Sequence, residues 1–242
     1  WVYSGPTALA VFDVLKDALP KPETIVFFAT GHRPDVHAPS LQASGVWETP
    51  GASFEIDAEL AKAMLDEAGP DVLVDRAIAH EGDHAIEVQL PLVLASLGQV
   101  RFVPVALPFT TLGPRAGAAA ARAAQKLGRH VAVVASVDLT HYGPNFYGFA
   151  PQGVGKKAHR WSKEVNDRKF LDKVLALDAP AAYAIGAQDQ SCCGPAAAAA
   201  VIAATRTLGA HKGVLLEHIT SWERGKEGEP SDFVGYAGVV FV

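Results

Sequence analysis

The chain has 242 residues, of which 49% are hydrophobic and 19% charged, with a formal net charge of −5. That length can bury a substantial core within one domain, and that balance excludes extensive disorder. The acidic excess and the lack of a long Lys/Arg block exclude a surface that tracks a phosphate backbone, and no run nears the roughly 18 apolar residues of a membrane span.

Ser4 and Pro6 suit a helix start, and Ala8, Val11, Phe12, Leu15 and Leu19 then recur at helical spacing until Pro20 and Pro22 stop it. The run 24–30, TIVFFAT, is apolar without alternation and reads as a strand buried on both faces, ending at Gly31-His32. Residues 33–55 carry several Pro and Gly and no period, so a long loop with one short strand pair is expected, of a length that usually serves function.

Helices are expected over 57–68 and 86–97, the second started or kinked by Pro91, followed by a strand over 100–107. An alanine-rich helix over 114–127 leads to HVAVVASV, 130–137, a second buried strand that ends at Asp138 and His141. Residues 156–177 read as one amphipathic helix with Trp161, Val165, Leu171, Val174 and Leu175 on its apolar side. Lys156, Lys157, Arg160, Glu164 and Asp167 would form its solvated face.

Cys192 and Cys193 are adjacent, where a disulfide is strained, so no disulfide framework is expected. With no signal-peptide order visible, a cytoplasmic protein is the expectation. A small-residue helix over 194–208 and strands over 213–220 and 233–242, around a polar loop at 223–231, complete the chain. Alternating strands and helices imply an α/β single domain, 1–242, with a central, mostly parallel sheet flanked by helices.

In such sheets ligands collect beyond the carboxyl ends of the strands, which is where the reactive side chains fall. His32 follows a strand directly and suits a neutral imidazole ligand, or a loop histidine bonded to backbone. Asp138, Thr140 and His141 in SVDLTHYG follow another; they suit acid, base or metal-partner roles, or a turn cap with a packed ring. His84 and Glu87, three apart, would share a helical face on which Glu87 orients the ring.

His80-Glu81-Gly82-Asp83-His84 also satisfies the zinc-protease spacing HExxH, although Gly82 and Asp83 are poor helix formers and no third ligand follows at helical spacing. Cys193, ahead of Gly194-Pro195, sits where a helix dipole favours a thiolate, as ligand or as nucleophile of a Cys-His hydrolase. Cys192 reads as a small buried residue.

YSGPTA near the start, Gly31-His32, HAIEVQLPL, SVDLTHYG, CCGP and SDFVGYAG occur in the order typical of the Memo family, which the chain resembles over nearly its whole length. That family is similar in fold to the class III extradiol dioxygenases. The resemblance implies a mononuclear metal site, Fe(II) or Cu, with ligands at His32 and Cys193, the latter in place of a carboxylate. It further implies pocket roles for Asp138 and His141, with His141 as acid-base residue, and a supporting pair at His84 and Glu87.

The resemblance also implies a Pro-His-Ala-Gly segment ahead of Trp1 that supplies another metal-binding histidine. The expected function is a non-haem metal-dependent, dioxygenase-like oxidoreductase with a small organic substrate; the alternative is a non-catalytic metal- or peptide-binding adaptor.

Overall fold

In the computed structural model, which describes every residue except Leu19, Lys226 and Glu227, the chain opens with helix α1 (Gly5–Lys16) and continues into strand β1 (Thr24–Thr30). The expected last apolar position of that helix, Leu19, lies outside the described residues. Next come the short strand β2 (Ser40–Leu41) and a hairpin of β3 (Val46–Thr49) with β4 (Ala52–Glu55), the strand pair expected within the loop.

Helix α2 (Ala58–Ala68) starts where Asp57 accepts a hydrogen bond from the Leu60 amide. It is followed by β5 (Val74–Asp75), a 3-10 turn at Ala77–His80, a second at Glu87–Gln89, and helix α3 (Leu90–Leu97). Pro91 thus marks a helix start, where its missing N–H costs nothing. Strand β6 (Arg101–Leu107), helix α4 (Gly113–Leu127) and strand β7 (Val131–Ser136) match the expected pattern to within a residue at each end.

β8 (His141–Tyr142) precedes helix α5 (Lys156–Trp161), which runs through a π turn at Ser162–Asp167 into α6 (Arg168–Leu175). The wider turn rotates the helix, so Val165, expected on the apolar side, is exposed, while Asn166 and Asp167 are buried. Asp167 therefore leaves the solvated face to which its spacing assigns it. Helix α7 (Ala179–Gln188) escapes apolar periodicity and is marked instead by its cap, Asp178 accepting from the Ala181 amide, and by Pro180. Helix α8 (Pro195–Thr207), β9 (Gly213–Thr220), the short α9 (Ser221–Gly225) within the expected loop, and β10 (Phe233–Phe241) follow.

The main sheet runs β5-β2-β6-β1-β7, with only the β2/β6 pair antiparallel. β1 sits inside it with all seven residues buried, and its side chains alternate between two cores. Ile25, Phe27 and Ala29 pack toward α1 and α3, whereas Val26 and Phe28 pack toward α2, α4 and α8. The terminal strands do not join this sheet. β8, β10 and β9 form a separate antiparallel sheet that meets α6, α7 and α8 across a third core around Leu139, Phe170 and Ile202. No helix among the described residues is long and apolar enough to cross a membrane.

Candidate metal centre

The carboxyl ends of β1 and β7 stop side by side, because Ala29 and Ser136 are register partners, and the N-terminus of α8 closes over them. Gly194 makes that approach possible. A Cβ there would stand 2.1 Å from Thr30 Oγ1 and 2.4 Å from Val137 Cγ1. Cys193 is consequently locked onto the end of β7: its amide donates to Asp138 O at 3.1 Å and its Sγ accepts from the Asp138 amide at 3.1 Å. Thr30 Oγ1 lies 3.7 Å from the same sulfur. Both cysteines are free thiols, and burial pushes Cys192 well up.

His141 opens β8, opposite Val234 of β10. Its Nε2 lies 3.2 Å from Asp138 Oδ2, and its ring tilts against Tyr147 with centroids 5.0 Å apart. The Asp138 carboxylate, then Cys193, outweigh burial and raise its pKa to about 9. One donor atom from each of Asp138, His141 and Cys193 lies within 4.8 Å of the others.

His32 lines the same cavity, of about 450 Å³, together with Thr30, His84, Gln89 and Tyr236. Its backbone amide donates to Asp83 Oδ2 at 2.9 Å and its Nδ1 lies 3.2 Å from both Asp83 oxygens. This hydrogen bond raises the His32 pKa. Burial works against ionised Asp83, but His32 and the Ala85 and His32 amides prevail and hold its carboxyl at about 2. His84 stacks on His32, rings 10° from parallel and centroids 5.6 Å apart.

The structure thus brings Asp138, His141 and Cys193 into one donor cluster and places His32 in the same cavity but outside that cluster, with two further changes of role. His84 and Glu87 do not pair: His84 precedes the 3-10 turn, Glu87 is exposed, and among the described residues no side-chain hydrogen bond joins Glu87 to anything. The carboxylate that orients an imidazole is Asp83, and the imidazole is His32. The HExxH spacing likewise fails as a zinc helix, since His80 ends a 3-10 turn and Gly82 adopts φ +71°. His80 is buried against Trp47, and burial lowers its pKa to about 4.

Sequence reading missed the support beneath the site. Asp167 Oδ1 accepts from the Thr140 amide at 3.1 Å and from its hydroxyl, while Asp167 Oδ2 takes His218 Nε2 at 3.0 Å. Asn166 Nδ2 donates to Thr140 Oγ1 at 3.0 Å. Gln89 Nε2 donates to Ser136 Oγ, which donates to Ala85 O, tying the segment that carries Asp83 to the end of β7.

A model of Memo-like proteins matches residues 1–240 of the chain. A MEMO1 family protein of Methanopyrus kandleri is 35% identical across 99% of this chain and 79% of its own length. Another, of Methanothermobacter thermautotrophicus, is 34% identical across 98% and 79%, respectively. A third, of Thermococcus onnurineus, is 33% identical across 100% and 83%. The match over residues 1–240 and these relatives agree on one assignment: the chain belongs to the Memo family.

Proposed function

We propose that the chain is a mononuclear metal-dependent redox enzyme, of the non-haem iron type, acting on a small organic substrate. The observation that carries this reading is the meeting of imidazole, carboxylate and thiol donors within 4.8 Å in one cavity. Two donors on one ion stand at most about twice a 2.0–2.3 Å bond apart, a span close to the observed one. His32 adds a second argument. Its Nδ1 is taken by Asp83, the arrangement that fixes a metal-bound histidine, which leaves Nε2 as the ligating atom.

His32 and Cys193 would hold the ion, with the carboxylate and imidazole of Asp138 and His141, which cluster with Cys193, beside it. A bound Fe(II) or Cu ion would supply Lewis acidity and electron transfer for chemistry with O2 and substrate. His141 keeps a proton inside the cavity, since its pKa of about 9 leaves it charged at neutral pH, and Asp138 orients the ring for transfer to substrate. Trp1, Tyr236 and Leu92 contribute apolar surface to the cavity wall.

The test is anaerobic loading with Fe(II), and separately with Cu, then metal analysis after desalting and oxygen uptake with catechols and other small aromatic compounds. About one ion per chain, lost in Cys193→Ala and His32→Ala, with substrate-dependent oxygen uptake, is the expected result. A wild-type protein that retains neither metal overturns it; retention without turnover of any compound assigns the adaptor role. Cys193 and His141, with donor atoms within 4.8 Å of each other, also suit a Cys-His hydrolase. Thiol labelling of Cys193 in metal-free protein that abolishes ester hydrolysis would establish that second reading.

A further inference from the structure

Successive side chains of β10 point to opposite faces of its sheet. On one face Phe233 lies opposite Tyr142 and stacks on it, and Gly235 backs onto Asp167, whose Oδ2 would stand 2.5 Å from a Cβ there. On the other face Val234 lies opposite His141, and Gly238 backs onto Thr7 and Val11 of α1. Tyr236 falls between Val234 and Gly238 on this second face. Its ring is thereby delivered to the side of the sheet that carries His141, and it lines the same cavity of about 450 Å³.

β10 is the middle strand of its sheet, and Tyr236 is the register partner of Ile219 in β9, which fixes the root of the ring. The residue is half-buried, and its hydroxyl has no hydrogen-bond partner among the described residues. A tyrosine hydroxyl in such a setting normally finds one, because an unpaired polar group forfeits a hydrogen bond. Phenylalanine would fill the same space without that loss. Burial, then the charge of Asp138 and the neighbouring Tyr147 and Tyr3, push the Tyr236 pKa up. The hydroxyl therefore stays protonated and stands on the cavity wall as a neutral donor.

The charges of the cavity are already paired. His141 stands 3.2 Å from Asp138 and His32 stands 3.2 Å from Asp83. Among the described residues no Lys or Arg lines the wall. A carboxylate or phosphate would thus leave water for a site without an unpaired side-chain cation. At Tyr236 it would also meet the field of Asp138, which opposes negative charge there. An uncharged oxygen incurs neither cost. The Tyr236 hydroxyl offers one proton, and a carbonyl accepts it without bringing a donor that needs its own partner. Ala8, Val11, Phe12 and Leu92 supply apolar wall for the rest of such a molecule, and the volume is that of a small-molecule site.

We propose that Tyr236 orients the substrate of this cavity by donating its hydroxyl proton to an uncharged carbonyl oxygen, which makes neutral carbonyl compounds, and not carboxylates or phosphates, the substrate class. The proposal deepens the small-molecule reading given above and rests on it.

The test uses acetophenone, benzoate and ethylbenzene, which share a ring and differ in what they present to Tyr236. Each is titrated into the protein as purified and again after chelation. Acetophenone should bind at least about 10-fold more tightly than benzoate, and its C=O stretch should move to lower frequency on binding. In Tyr236→Phe its affinity should fall by about 5–10-fold and the stretch should return toward its value in an apolar solvent. Ethylbenzene, which has no acceptor, should bind variant and wild type alike. Should the variant not fold, growth of the wild type on 3-fluorotyrosine supplies a second readout, since the stronger donor should lower the stretch further.

An acetophenone affinity and stretch that Tyr236→Phe leaves unchanged overturn the proposal, as does a stretch indifferent to fluorination. Benzoate binding as tight as that of acetophenone, or no acetophenone binding at millimolar concentration, overturns the substrate class. A chain that retains no metal yet gives these responses loses the metal reading and keeps this one. Metal retained with the responses absent does the reverse.

Discussion

Gly194 is the residue on which the position of Cys193 depends most directly. A methyl group at Gly194 would collide with Thr30 and Val137, the termini of the two strands that the cysteine bridges. Overpacking of this kind costs about 1–3 kcal/mol, so Gly194→Ala should lower the melting temperature by several degrees. It should also speed thiol labelling at Cys193, since the loop must lift to make room; unchanged labelling would sever glycine from site. Asp83 and Glu87 allow a sharper comparison. Asp83→Asn removes the carboxylate that fixes His32 and should weaken metal retention by about 10–100-fold in chelator competition. Glu87→Gln should change it little, because that side chain is exposed and makes no hydrogen bond among the described residues. The reverse ranking would restore the His84–Glu87 pair read from sequence.

At the scale of elements, strands and helices with a simple period were legible and irregular ones were not. TIVFFAT and RFVPVAL declare themselves by apolar runs between breakers, and both are central strands. His32, Asp138, His141 and Cys193 were legible because each stands at the end of such an element. Asp83 was not, since it lies in a turn whose HExxH and i,i+3 spacings suggest a helix that Gly82 does not permit. Asp167 was hidden because its burial depends on a π turn, which no 3.6-residue period anticipates. That turn makes a prediction. Asp167→Ala would strand the Thr140 amide, the Thr140 hydroxyl and His218 in a buried setting, at a cost of about 3–5 kcal/mol. A melting temperature lower by about 10 °C is expected. Helix packing supplies a companion case: a Cβ at Gly117 of α4 would stand 1.9 Å from Ala200 O of α8. Gly117→Ala should therefore destabilise by about 1–3 kcal/mol while leaving thiol labelling at Cys193 unchanged.

For the molecule as a whole, composition and order predicted an α/β domain with a mostly parallel sheet, and the separation of β8, β9 and β10 from that sheet was the part they did not predict. β9 and β10 look like further members of the central sheet because strand-forming sequence does not encode which edge it joins. Buried titratable groups set how this assembly responds to pH. His80 packs under Trp47 with its Nε2 buried and unbonded among the described residues, and its folded-state pKa of about 4 lies below the ordinary value of 6.5. Between these values the unfolded chain binds the extra proton. Stability is therefore fully present above pH 6.5 and is lost as the pH falls toward 4, by about 3 kcal/mol at 1.36 kcal/mol per unit. His159, lowered by burial, adds to the same slope. Asp83 acts in a separate window, losing its contribution as pH falls from the usual carboxylate range toward 2. The raised values of His32 and His141 act above pH 6.5 with the opposite sign, because there the folded state holds the proton more tightly. Metal-free protein should thus be most stable near pH 6.5. In His80→Phe the unpaired nitrogen is gone and the ring contact with Trp47 is kept, so denaturation midpoints measured from pH 7 to 4.5 should fall much less steeply than in wild type. A variant whose slope matched the wild type would place the acid sensitivity elsewhere in the molecule.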